Sequence, residues 1–450
     1  MKLVVVALLV LGPLGLAGCS KDKPAPPAPK AAPSASAAPR VLRGKPKTAV
    51  QLPTTDAAIY LGNLDGQITE LTRLLVERPE VLPNVQRLSA AHHVRGRYRG
   101  DSDEIQAGID GLSACLRTEP EDAMCLLMRG EQEQSLHRFK EARADLERAK
   151  KIGIDPARAT DLETELDWND GLYDKAIAAI RRARTTRPSV ASWMREAQLE
   201  HDLDHEDLAD AAFEAAEDLI VDTAPLPVAH LNLQRGIQKS QRGLLEEACT
   251  FFRESIARMP TYVAGLEHLA EALHALGKDD EATSIYEKVV KLTDDPEFAH
   301  ALAELYAAKG KKDEAKALEA KARTRYEELL KKYPEAMYWH ASEFFTAIGD
   351  EKRALELLRQ NVKLRPNATS WVALARAELA NGKPADAKTS IDKALAMPLR
   401  TASLYWTASL VARAAGDAAT ADAHLAAARR MNPRIESAEP APAPRGARTP

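Results

Sequence analysis

The sequence of 450 residues is poor in aromatic residues, which make up 5% of it, and it has only four cysteines. Runs of β-branched residues are scarce, which argues against a chain built from strands. Beyond its first residues, no segment reaches the roughly 20 consecutive apolar residues that a membrane-spanning helix needs. The formal net charge is -4. No basic surface of the kind that binds nucleic acid is therefore indicated, and we predict no nucleic-acid partner.

Sequence motifs of catalysis are missing as well. The chain has no G-x-S-x-G, no G-x-x-x-x-G-K, no H-E-x-x-H and no G-x-G-x-x-G. No C-x-x-C pair is present, so zinc and thioredoxin-type sites are not indicated. The many glutamates and lysines stand at spacings typical of solvated helix faces. We therefore predict a protein that is not an enzyme and that uses no cofactor.

The first 18 residues have the features of a secretion signal. Lys2 precedes an apolar run from Leu3 to Leu11, which has the length of a signal-peptide core. The run leads into the segment Leu-Ala-Gly-Cys at residues 16–19, which resembles a bacterial lipobox. That resemblance implies cleavage before Cys19 and lipidation of Cys19. The alternative is an ordinary signal peptide with a chance cysteine.

Lipidation would anchor the protein to a membrane without a transmembrane helix, because two or more acyl chains bind stably. Ser20, rather than an aspartate, follows Cys19, and by the sorting rule of enteric bacteria this favours the outer membrane. Residues 19–50 are rich in Pro and Ala and cannot bury a core. We expect them to form a semi-extended linker of ~3 Å per residue. Residues 435–450 have the same character and predict a disordered tail.

A repeat of about 34 residues runs through the body of the chain. It is marked by alanines that are followed four residues later by a large apolar residue. They are Ala142–Leu146, Ala176–Ile180, Ala209–Phe213, Ala248–Phe252, Ala282–Tyr286, Ala354–Leu358, Ala387–Ile391 and Ala421–Leu425. On a helix, the small residue lets a neighbouring helix approach and the large one fills the groove beside it. Prolines twelve residues after several of these alanines, such as Pro188 and Pro260, would end each second helix.

This pattern resembles the tetratricopeptide repeat, a helix–turn–helix unit of 34 residues. Trp371, Leu374 and Ala375 match the family's first helix well. Several first helices depart from the pattern, with Arg95, Arg129, Glu163, Glu196 and Arg235 where the family has leucine. The resemblance implies an all-α, right-handed α-solenoid of about ten repeats over residues 89–434. The longer spacings after Ala209 and Ala315 predict longer helices or loops, including a long second helix around 323–330.

Residues 51–88 precede the array. Ile68, Leu71, Leu74 and Leu75 form one amphipathic stripe. We interpret this segment as a degenerate helical cap over the first repeat.

Three cysteines remain in the body. Cys115 and Cys125 flank an expected turn at residues 119–122. They form either a disulfide, which an oxidising compartment permits, or two buried thiols. Cys249 is expected to be a small core residue.

In the resembled family, first-helix residues line a concave groove, and this register supplies candidates for partner binding. They are Glu267, Glu271, His274, Glu297, His300, Glu304, Trp339, Glu343, Arg376 and Trp406. The acidic members permit three interpretations: a solvated face, a surface for a basic peptide, or a divalent metal site, since His and carboxylate four residues apart can reach one ion. We predict no metal site. The two tryptophans are either binding anchors or packing between repeats.

The hypothesis from the sequence is a scaffold lipoprotein of the cell envelope, facing the periplasm or the cell surface. It would bind proteins or peptide segments in its groove and assist the assembly of an envelope complex. The alternative is a lipoprotein associated with the cell wall or with polysaccharide export. The sequence leaves the oligomeric state open.

Overall fold

A computed structural model describes residues 52–221 and 223–442. The predicted signal peptide, the linker with Cys19, and residues 443–450 of the predicted tail lie outside the described residues. The described part consists of helices with no strand. The helices are α1 Ala57–Glu77, α2 Leu82–Arg99, α3 Ser102–Thr118, α4 Ala123–Ser135, α5 Phe139–Ile152, α6 Pro156–Asn169, α7 Tyr173–Thr186, α8 Val190–Asp202, α9 Glu206–Asp218, α10 Pro225–Gln241, α11 Leu245–Arg258, α12 Val263–Ala275, α13 Asp279–Leu292, α14 Pro296–Ala308, α15 Lys312–Lys332, α16 Pro334–Ala347, α17 Glu351–Leu364, α18 Ala368–Ala380, α19 Pro384–Leu395, α20 Ala402–Ala414, α21 Ala418–Met431 and α22 Ile435–Ala438.

Helices α2 to α21 pack as ten successive pairs, from α2 with α3 to α20 with α21. The turn inside each pair contains one residue with positive φ, which lets the chain reverse within a few residues. Eight of these residues are glycines, and the other two are His137 (φ 58°) and Asp204 (φ 63°). The predicted solenoid of about ten helix-turn-helix repeats is confirmed.

The alanines that mark the repeat lie on the second helix of each pair and are buried. The matching position on the first helix is kept small where the packing is tightest. At Gly236 on α10, an added Cβ would lie 2.4 Å from a ring carbon of Phe252 on α11. Gly236 therefore makes room for Phe252, the large residue of this repeat.

Helix lengths vary where the repeat spacing changes. The second helix α15 has 21 residues, Lys312–Lys332, which agrees with the long helix expected around 323–330. At the amino-terminal end, α1 packs on α2 and buries Leu64, Ile68 and Leu71. Leu74 and Leu75 of the predicted stripe are partly exposed.

The carboxy-terminal segment differs from the predicted disordered tail. Residues 435–438 form the short helix α22, and Ile435 is buried against Trp406 and Met431 of the last pair. An apolar side chain at the start of a polar, Pro-rich stretch is enough to fix the chain there. The described chain therefore remains attached to the solenoid up to residue 442.

Cys115 near the end of α3 and Cys125 in α4 are joined by a disulfide, with Cα atoms 6.8 Å apart. The two helices meet across the expected turn, which spans residues 119–122. Cys249 is buried and unbonded.

The solenoid winds tightly enough for distant repeats to touch. Tyr173 of the third pair meets Ala368 of the ninth, and Asp103 of the first meets Lys332 of the seventh, at 2.6 Å. Asn432 donates from its side chain to the carbonyl oxygen of Gln241, 191 residues earlier, at 3.0 Å. One turn of the superhelix thus takes five or six pairs. Across the described ranges, none of the helices combines the length and apolarity needed to cross a membrane.

Candidate binding surface

The first helices line the inner side of the superhelix. First helices of neighbouring pairs pack on one another, as α10 does on α12 and α14 on α16, whereas the second helices are farther apart. Elements on the inside of a curved stack lie closer together than those outside it. Side chains of first helices that are distant in sequence also interact electrostatically. Burial, and then the charge of Arg97 on α2, lower the pKa of His230 on α10 to about 3.

Five carboxylates come together on this inner side, and we call them the acidic cluster. They belong to α12, to the residue that caps α14, to α14 itself and to α16. They are Glu267, Glu271, Asp295, Glu297 and Glu343. Glu267 and Glu271 are 8% and 6% exposed. A buried group of like charges is unfavourable unless other groups neutralise it.

Within the cluster, both burial and the neighbouring carboxylates disfavour the charged form of Glu267. Burial, and then the negative charges of Glu297 and Glu271, raise its pKa well above the ordinary value. Among the described residues, no hydrogen bond or ion pair reaches its carboxylate. The side chain is therefore held in a buried position by the helix packing, without a polar partner to stabilise its charge.

Two histidines contact carboxylates of the acidic cluster. The Nδ1 atom of His340 lies 3.0 Å from Oε2 of Glu297. Burial opposes protonation of His340, but the charge and hydrogen bond of Glu297 outweigh it and raise the pKa to about 9. The same contact holds the pKa of Glu297 below its usual value in spite of burial. The pair is therefore an imidazolium with a carboxylate at neutral pH.

The second histidine, His268, is buried and lies in α12 with its Nδ1 atom 2.9 Å from Oε2 of Glu271. Its ring stacks on Phe252, with centroids 5.7 Å apart. Its Nε2 atom is buried and has no hydrogen-bond partner. Because Glu271 belongs to the acidic cluster, the ring of His268 lies at its edge.

Three other predicted residues, His300, Glu304 and Trp339, lie on the same first helices as members of the cluster. His300 packs edge-on against Phe344, with centroids 5.0 Å apart, and lies 3.8 Å from Glu304. Trp339 packs under Arg365, whose guanidinium carbon is 5.6 Å from the centre of the ring. These residues form the wall next to the acidic cluster.

His274, in contrast, is bound to Asp279 at 2.7 Å across the turn between α12 and α13. Its Nδ1 atom therefore serves a contact within one repeat.

Arg376 and Trp406 are apart from the cluster and contact the chain's own carboxy-terminal segment. Arg376 forms an ion pair with Glu439 at 2.8 Å, and the indole N–H of Trp406 donates to the carbonyl oxygen of Glu439 at 2.6 Å. The hydroxyl of Ser403 adds a third contact, at 2.9 Å. These two predicted binding residues thus hold the end of the described chain.

Three residues of the site were not among the candidates from the repeat register: His268, Asp295 and His340. A signal for one of them was present, because His340 and Glu343 are three residues apart and share a helix face. Glu297, His340 and Glu343 are also the residues here that could hold a metal ion, since one ligand atom from each lies within 4.8 Å of the others.

Comparison with known proteins detects tetratricopeptide repeats at residues 266–299 and 298–335. These segments cover α12 to α15 and include most of the acidic cluster. Neither match indicates an enzyme family. A search of curated protein sequences gives no significant match.

Among solved structures, yeast Tom70 is 16% identical, with 84% of this chain and 91% of that chain covered and a TM-score of 0.37. PilW, described as a type IV pilus biogenesis factor, is 19% identical over 47% of this chain and 94% of its own, with a TM-score of 0.37. The human IFIT1 dimer with PPP-AAAA is 14% identical over 83% and 88%, with a TM-score of 0.40. The chain thus carries tetratricopeptide repeats in the segment that forms the acidic cluster, within a solenoid of ten helix pairs.

Proposed function

We propose that this protein is a membrane-tethered scaffold that binds a protein segment with basic side chains on the inner side of its superhelix. Tetratricopeptide repeats are scaffolds for protein–protein interaction, and stacked repeats offer an extended concave surface for it. The observation that carries the proposal is Glu267, a buried carboxylate without a partner among four other carboxylates.

Binding of a charged segment depends on the cost of removing its charges and those of the cluster from water. A basic side chain that enters the acidic cluster finds carboxylates that the fold has already desolvated, so their desolvation adds little to the cost of binding. Its positive charge would also relieve the repulsion among Glu267, Glu271 and Glu297. Such a charge arrangement selects basic partners and rejects acidic ones.

The tether is proposed from the sequence alone. Cys19 follows a lipobox-like segment, and residues 19–50 provide a linker of ~3 Å per residue. In this proposal the solenoid stands away from an outer membrane, facing the periplasm or the cell surface. There it assists the assembly of an envelope complex.

The test is a crosslinking pull-down from native bacterial envelopes with the full-length lipoprotein. A variant with Glu267→Gln and Glu271→Gln should lose the bound protein. A matched control with Glu246→Gln and Glu247→Gln, two exposed glutamates on the second helix α11, should keep it. Equal recovery by all three proteins would overturn the acidic recognition surface. Recovery of wall sugar without any protein would favour a lipoprotein of the cell wall or of polysaccharide export.

The anchor needs its own experiment. Replacing Cys19 with Ser should remove incorporation of labelled fatty acid and release the protein from the membrane fraction. If Cys19→Ser remains in the membrane and wild type takes up no label, the proposed tether is wrong, whatever the pull-down shows.

A further inference from the structure

We infer that Glu297, His340 and Glu343 form a binding site for a divalent transition-metal ion of the zinc class. Glu297 comes from α14, and the other two come from α16, the first helix of the next pair. The site would join two neighbouring repeats on the inner side of the superhelix. It does not depend on the proposed function.

The geometry brings the three ligand atoms into the range of one ion. His340 and Glu343 are three residues apart on one helix face. Glu297 reaches them from α14, with its Oε2 atom 3.0 Å from Nδ1 of His340. Ligand atoms of all three lie within 4.8 Å of one another, and a bound ion would displace the proton that His340 shares with Glu297.

The chemistry of the donors selects the class of ion. One imidazole with two carboxylates suits Zn²⁺ and its neighbours in the first transition series. Ca²⁺ and Mg²⁺ prefer oxygen donors throughout and are disfavoured here. Three protein ligands leave one coordination position of the ion open, where water or a group of a bound partner completes the coordination.

Two buried polar side chains of α12, the first helix of the preceding pair, also have polar atoms that lack hydrogen-bond partners. Glu267 is 8% exposed and has no partner, and the charges of Glu297 and Glu343 act on it. His268 is 5% exposed and keeps its Nε2 atom without a partner, while its Nδ1 atom contacts Glu271. Buried polar groups in folded proteins usually have partners, so two orphans at one place indicate a ligand.

A bound dication leaves room for a basic segment as well. The ion would occupy the end of the acidic cluster formed by Glu297 and Glu343. The carboxylates of Glu267 and Glu271, on α12, would remain for the basic segment. Metal and basic partner can therefore share the inner surface.

The test is a calorimetric titration of ZnCl₂ into the full-length protein, purified in detergent without an affinity tag, freed of metal by a chelator and kept without reductant so that Cys115 and Cys125 stay bonded. We expect about one ion per chain. Glu343→Gln and His340→Gln should each weaken binding by tenfold or more, whereas Glu246→Gln and Glu247→Gln, at exposed positions of α11, should leave it unchanged.

A spectroscopic readout separates ligation from effects on folding. Co²⁺ bound to wild type should give visible absorption bands that disappear in His340→Gln, while circular dichroism confirms that the variant is folded. Absence of Zn²⁺ binding by wild type, or equal binding by the ligand variants, would overturn the site. Neither measurement involves a peptide, so its failure is distinct from a failure of the pull-down.

Discussion

The phenol oxygen of Tyr173 accepts a hydrogen bond from the backbone N–H of Ala368 at 2.9 Å, although the two residues are 195 positions apart. Both residues are buried, and they pack with Leu399 in a small cluster between successive turns of the superhelix. The contact links the third helix pair to the ninth. Distant repeats therefore stabilise each other directly.

Replacing Tyr173 with Phe should reduce the free energy of unfolding by about 1–2 kcal/mol, because the buried N–H of Ala368 loses its acceptor. Urea denaturation followed by circular dichroism measures this change. Faster hydrogen exchange at Ala368 would place the loss at the contact between turns. Tyr405→Phe is the matched control, since no hydrogen bond of its hydroxyl is found in the described part of the chain. Equal stability of wild type and Tyr173→Phe would show that the turns separate in solution.

Replacing Glu267 with Gln should raise stability by about 1–2 kcal/mol at neutral pH, since folding no longer has to bury or protonate a carboxylate that is ionised in the unfolded chain. The same substitution should weaken binding of a basic segment. Glu271→Gln is the control of opposite sign, because it breaks the contact with His268. Thermal melts of wild type, Glu267→Gln and Glu271→Gln measure these differences in stability. A loss of stability in Glu267→Gln would contradict the account of the acidic cluster.

Asp202 at the end of α8 should make stability depend on pH. Burial raises its pKa from the model-compound value of 3.8 to about 6, despite the favourable charge of His201 and the hydrogen bond from Gln198. Between these two values the unfolded chain releases the proton while the folded chain retains it. This group therefore lowers stability as pH rises from about 4 to 6.

Asp202→Asn should accordingly be more stable than wild type by about 1–3 kcal/mol at pH 7.5, and equally stable below pH ~3.5. Denaturation curves across this pH range measure the difference. Asp110→Asn, at an exposed position within α3, serves as the control. A difference between Asp202→Asn and wild type that does not vary with pH would contradict the proposed cause.

The disulfide between Cys115 and Cys125 closes a loop of sequence separation 10 across the turn between α3 and α4. Its removal by Cys115→Ser with Cys125→Ser should cost ~3 kcal/mol, by loss of the constraint on the unfolded chain. Non-reducing peptide mapping by mass spectrometry tests the bond itself. Free thiols at both positions in protein isolated from envelopes would show that the bond does not form there.

The local part of the fold followed from the sequence because it depends on local periodicity. Alanine and a large residue four positions later, with Pro or Gly at the ends, fix a helix pair whatever its neighbours are. The winding of the pairs was not predictable in the same way. The pairing of Tyr173 with Ala368 depends on small rotations between repeats, which add up over six pairs and leave no periodic trace in the sequence.

The candidate site was predicted in part for the same reason. The repeat register placed Glu267, Glu271 and Glu297 on first helices, and the structure brings these three together. The same register also proposed Arg376 and Trp406, which contact Glu439. A register identifies the inner face of a repeat but does not show which segment of the chain covers that face.

The contacts between successive turns should make the solenoid respond to tension like a closed-coil spring, which does not lengthen until its turns separate. An open superhelix extends smoothly under tension, because each repeat rotates a little against the next. Here the first extension has to break the contacts of Asp103, Tyr173 and Gln241 with the turn above them. The coil should therefore resist small forces and then yield abruptly. A protein held between a membrane and a large partner would then keep its length until the load passes that threshold.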